Sequence, residues 1–136
     1  MPLMTWTDKL SVGVEVLDRD HRHLVDMVNT LFDGIQAGEG QAAVGSILDD
    51  LVAYTVEHFR REEDLMAHAG YPDAAAHKEA HARLCRQVLD IQAKYRSGAT
   101  PTLSLEVMHF LKNWLTNHIQ GSDRHYAPLL NAKGVR

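Results

Sequence analysis

His58 and Glu62 stand four residues apart, and His77 and His81 repeat that interval. On a helix such pairs project from one face and can close on one metal ion. His21, His118 and Asp123 complete a set of seven groups whose donors, imidazole nitrogen and carboxylate oxygen, suit divalent transition metals. The chain holds nine histidines in 136 residues, and five of them belong to this set. A single histidine on an apolar face is ordinarily a core residue satisfied by a hydrogen bond. An isolated His-x-x-x-His pair is more often surface than ligand. Seven groups on inward-facing stripes are different, because burying so many ionisable side chains without a partner is prohibitively costly. A bound metal removes that cost.

Asp123 fits the pattern least simply. It follows His118 by five residues, a rotation of about 140° on a straight helix. A π-bulge or a helix break near Gly121 would swing it inward, and such irregularities often mark functional sites.

These groups need rigid elements to bring them together. Turn signals rich in Gly and Pro fall at Ala37–Gly40, Ala69–Pro72 and Ser97–Pro101. Between them apolar residues recur at three- and four-residue steps, which predicts helices over roughly 18–36, 41–67, 73–95 and 102–120. The first stripe runs Leu17, His21, Leu24, Val25, Val28, Leu31; the second runs Ile47, Leu48, Leu51, Thr55, His58, Glu62. The third carries His77, His81, Leu84, Val88 and Ile91, and the fourth Val107, Leu111, Trp114, Leu115 and His118. Strand-like alternation is absent. Short loops between long helices make antiparallel neighbours. The expected fold is therefore an all-α, up-down-up-down antiparallel four-helix bundle forming a single domain over 1–136, with an irregular N-terminal arm over 1–17 and a C-terminal segment over 121–136.

The remaining histidines fall off the stripes. His109 is half a turn from His118, His23 about 200° from His21, His68 near a helix end, and His125 beside Asp123 but off its face. They are expected at the surface or behind the ligands. Glu63 is five residues from His58, so Glu62 is preferred as the ligand. Cys85, at the edge of the third stripe, is expected to be a small core hydrophobe.

The net charge of −4 is spread among interspersed acids and bases, which argues against nucleic acid and anionic membranes as partners. No apolar run reaches the roughly 20 residues of a membrane span, and the first residues do not read as a signal peptide. One cysteine allows no intrachain disulfide. A cytoplasmic location is expected.

The segments Ser11-Val12-Gly13-Val14 with Asp18-Arg19-Asp20-His21, His58-Phe59-Arg60-Arg61-Glu62-Glu63, His77 with His81, and Trp114-Leu115-Thr116-Asn117-His118-Ile119 followed by Asp123 resemble the hemerythrin family, in particular its single-domain bacterial members. The likeness covers nearly the whole chain in the family's order. It implies two non-haem irons joined by an oxo or hydroxo bridge. His77, His81 and His118 would hold one ion, His21 and His58 the other, and Glu62 and Asp123 would bridge them. That donor set leaves one coordination position open, on the ion with two histidines, where dioxygen would bind. Phe59, Trp114, Leu115 and Ile119 would wall that position.

The expected function is reversible dioxygen binding for storage, transport or delivery, by a monomer that could supply an oxygen-consuming enzyme. It is not expected to be an enzyme. Oxygen-activating di-iron bundles carry more carboxylates, including two Glu-x-x-His motifs; here Glu106 and His109 form one, with its histidine outward. The alternatives are a di-iron peroxidase, oxidase or nitric-oxide handling enzyme, for which Tyr126 or His23 would have to move protons, and an oxygen or iron sensor.

Overall fold

A computed structural model describes residues 3–38, 41–97, 105–119 and 124–134. Among the described residues five α-helices follow one another: α1 (Glu15–Gln36), α2 (Gln41–Ala69), α3 (Ala74–Arg96), α4 (Leu105–Asn117) and α5 (Arg124–Ala132). No strand occurs among the described residues. The chain forms an antiparallel helical bundle in which α2 packs against α1 and α3, α4 against α1, and α5 against α2.

The stripes read from the sequence are the buried faces. Leu17, Leu24, Val28 and Leu31 of α1, Leu48 and Leu51 of α2, Val88 of α3 and Leu111 of α4 are all buried. Thr55, polar but inside the stripe, donates its hydroxyl to the carbonyl of Leu51 at 2.7 Å, so it needs no partner from another helix. The close approach of α2 and α3 at the far end depends on Gly45, where a Cβ would stand 3.2 Å from the Tyr95 ring.

α2 ends at Ala69 because Gly70 takes a positive φ of 71°, letting the amide of Tyr71 bond back to the carbonyl of Met66 at 3.0 Å. This Schellman closure satisfies carbonyls that the last turn would leave bare. It also turns the chain sharply into α3.

Two features depart from the sequence reading. The first helix starts at Glu15 rather than 18, and the arm before it is built into the core: Met4, Leu10, Val12 and Val14 are buried. Asp18 holds the arm down by accepting from the Ser11 hydroxyl at 2.5 Å and the Val12 amide at 2.8 Å. Asn29 clamps it farther along, donating to the carbonyl of Met4 and accepting from its amide, both at 2.8 Å. The C-terminal segment, in turn, contains α5, with Tyr126 and Leu130 fully buried. The Asn131 side chain donates to the carbonyl of Gly13 at 3.0 Å and so ties the two ends of the chain together.

Candidate metal centre

The bundle brings six of the seven sequence-predicted ligands together: His21 from α1, His58 and Glu62 from α2, His77 and His81 from α3, and His118 at the end of α4. All six are buried, and Glu62 is 0% exposed. Asp123 lies outside the described residues. At His118 and Ile119 the backbone widens into a π-helical turn; Gly121, where the sequence reading put the irregularity, lies outside the described residues.

The geometry is organised by the two oxygens of one carboxylate. Glu62 Oε1 meets Nε2 of His21 at 3.1 Å and Nε2 of His58 in a closer contact. Glu62 Oε2 faces Nε2 of His81 at 3.2 Å, of His77 at 3.4 Å and of His118 at 3.8 Å. One oxygen thus serves two histidines and the other serves three.

These residues suit metal ions better than they suit each other. Glu62 Oε2 is buried and has no hydrogen bond despite the three nitrogens around it. Nε2 of His81 and Nε2 of His118 approach to 3.2 Å. Two nitrogens bound at about 2.1 Å to one ion, at a right angle, lie about 3.0 Å apart, so this spacing is what a shared cation would impose. Burial would push the Glu62 carboxyl up. The charge of His58 and the close imidazoles of His118, His21 and His58 outweigh it and hold the group well below the usual carboxylate range. Glu62 is therefore an anion at neutral pH, ready to bridge cations.

Behind the cluster stand two carboxylates whose roles the sequence reading missed. Asp20 accepts from Nδ1 of His58 at 2.8 Å, and Glu63 accepts from Nδ1 of His81 at 2.8 Å. An ionised carboxylate can only accept, so each fixes the proton on Nδ1 and leaves the Nε2 lone pair for a metal. Asp20 is held in turn by the Tyr54 hydroxyl at 2.7 Å and by the Arg61 guanidinium. Burial works to raise the Asp20 carboxyl, but hydrogen bonds from His58, Tyr54 and Arg61, with the charge of His58, bring it down to about 2. Burial, and after it the contact with Asp20, pushes the Tyr54 phenol up to about 12.

The four residues expected to wall the site are buried: Phe59, Trp114, Leu115 and Ile119. Phe59 lies flat on His81, with centroids 4.0 Å apart and planes within 3°, and meets His118 edge-on at 5.2 Å. From α5, Tyr126 packs its ring 5.5 Å from that of His77. His23, His68 and His109 are exposed, and the side chain of His125 is not among those described. Cys85 is half-buried beside the core, its thiol pushed up by burial and by Glu63.

A helical bundle with two histidine clusters sharing one buried carboxylate defines a cation-binding protein of the histidine–carboxylate class. Comparison with known proteins makes this specific. The profile of the hemerythrin HHE cation binding domain matches residues 12–130. The chain is 39% identical to a bacteriohemerythrin of Stenotrophomonas maltophilia over 97% of its own length and 84% of the relative's. It is 38% identical to the bacteriohemerythrin of Methylococcus capsulatus over 97% of this chain and all (100%) of that one. The crystal structure of a wild-type hemerythrin superposes with a TM-score of 0.88 at 38% identity, covering 94% of this chain and 98% of that one. A mutant of hemerythrin with one leucine changed to alanine gives a TM-score of 0.90 at 37% identity, covering 96% and 98%. The chain belongs to the hemerythrin family.

Proposed function

We propose that this protein binds dioxygen reversibly at a di-iron centre. In this reading His77, His81 and His118 hold one iron, His21 and His58 hold the other, Glu62 bridges them, and Asp123 is the second bridge. The observation that carries it is the division of Glu62, one oxygen toward two histidines and one toward three. When bound, the ferrous pair supplies two electrons to dioxygen and recovers them on release.

The chain's own residues make that exchange reversible. Asp20 and Glu63 keep His58 and His81 in one tautomer and one orientation. Phe59, Trp114, Leu115 and Ile119 exclude water, and an apolar wall opposes the loss of charged products to solvent. Five neutral imidazoles against two carboxylates leave the site less able to stabilise strongly oxidised iron than a carboxylate-rich one. Binding is favoured over oxidation chemistry, so the protein acts as a carrier or store rather than an enzyme, as a monomer able to supply an oxygen-consuming enzyme. No helix among the described residues is long and apolar enough to cross a membrane.

The test is to reduce the iron-loaded protein without oxygen and then cycle oxygen in and out while recording the visible spectrum. A charge-transfer band that rises with oxygen and vanishes on its removal over many cycles is expected. Rapid one-way conversion to a stable oxidised spectrum would move the assignment to redox enzymology.

A further inference from the structure

The seam between α3 and α4 is open beside His118. It forms a cleft of about 490 Å³, within the size range of small-molecule sites. Its walls are Arg83, Leu84 and Gln87 from α3 and Phe110, Asn113 and Asn117 from α4, and its floor is Trp114 and the edge of His118.

The chemistry of those walls is selective. Among the described residues on them Arg83 alone is formally charged, and it makes no ion pair there. No carboxylate among the described residues lines the cleft. Asn113 and Asn117 lie one helical turn apart and add amide donors on the opposite wall. Phe110 is 38% exposed, a large apolar ring left in solvent, and it stands one turn from Trp114 on the same helix. A lone guanidinium calls for a carboxylate, whose planar fork it matches. An exposed phenyl ring beside an indole calls for a flat apolar body.

We propose that this cleft binds a planar aromatic carboxylate, with its ring against Phe110 and Trp114 and its carboxylate on Arg83. This site adjoins the metal centre, sharing with it the wall formed by Trp114 and His118, and does not depend on the dioxygen reading.

Calorimetric titration of the iron-loaded protein with naphthoate, and with the uncharged naphthalenemethanol, tests the proposal. Naphthoate should bind saturably at one site per chain. Arg83→Ala should weaken it about tenfold, the worth of one charge-assisted hydrogen bond, and bring it level with naphthalenemethanol. Leu84→Trp, which fills the cleft, should abolish binding of both compounds, with iron content and circular dichroism showing that the bundle is intact. If Leu84→Trp does not fold, Asn113→Trp closes the cleft from the exposed α4 side. Absence of saturable naphthoate binding would overturn the proposal. So would affinity that is unchanged by Arg83→Ala or by filling the cleft.

Discussion

The two halves of the bundle are built from the same four long helices and held together differently. In one half the inward positions are Val28, Leu31, Val44, Leu48, Leu51, Val88 and Leu111, and the stripes meet as hydrocarbon. In the other half equivalent inward positions are His21, His58, Glu62, His77, His81 and His118. The apolar half is stabilised chiefly by burial, at about 25 cal/mol per Å² of apolar surface, with Asp49 of α2 tied to Gln92 and Arg96 of α3 at its edge. The metal half has given up part of that stabilisation, and the groups that replace it are costly unless a cation satisfies them. One half is stable by itself, and the other gains its stability when a metal binds.

That contrast can be broken first by removing metal. A ligand present at about 1,000 times its Kd adds about 4 kcal/mol to a folded protein, which for a chain of this length corresponds to a Tm shift on the order of 15 °C. Calorimetry with and without iron should show a shift of that order, and equal melting temperatures would contradict a buried site. Leu51→Ala, in the apolar half, should cost about 2–5 kcal/mol, and the loss should be the same with and without metal. Denaturant titration of both forms reads the difference directly.

Asp20 probes the carboxylates that stand behind the ligands. Asp20→Asn should weaken metal binding about 10–100-fold, measured by competition with a chelator. The pH response has a definite sign. The folded carboxyl sits at about 2, below its ordinary 3.8, so its contribution to stability is complete above about pH 4 and is lost as pH falls through about 2. Between pH 6 and 8 Asp20 stays ionised, and the stability difference between wild type and Asp20→Asn should be flat. The smallest effect belongs to the wall. Leu115→Ala should speed autoxidation several-fold with little change in iron content, and an unchanged rate would place Leu115 outside the oxygen pocket.

What could be read from the sequence follows the same division. The four long helices and the inward histidines are local properties, carried by spacing within each segment. His58 with Glu62 and His77 with His81 needed only helical periodicity. Asp20 and Glu63 did not announce themselves, because their partners lie 38 and 18 residues away on other helices. Their one visible signal was a carboxylate next to a ligand position. α5 was hidden by its length of nine residues and by Pro128 inside it, which argues against a helix when tertiary packing is unknown. Its place is set by Tyr126 packing onto His77 and by Asn131 reaching Gly13. The arm reads as irregular, and its backbone largely is, yet four of its side chains belong to the core. The predicted inward turn of Asp123 falls outside the described residues, although the π-helical turn at His118 and Ile119 stands immediately before it.

The shared carboxylate is the feature on which everything else rests, and it can be measured without oxygen chemistry. Iron analysis combined with Mössbauer spectroscopy of the oxidised protein counts the ions and reports whether they are magnetically coupled. Two irons per chain forming one coupled pair, with iron retention sharply reduced in Glu62→Gln, is the predicted result. A single iron per chain, or two irons that behave independently, would contradict a centre bridged by Glu62.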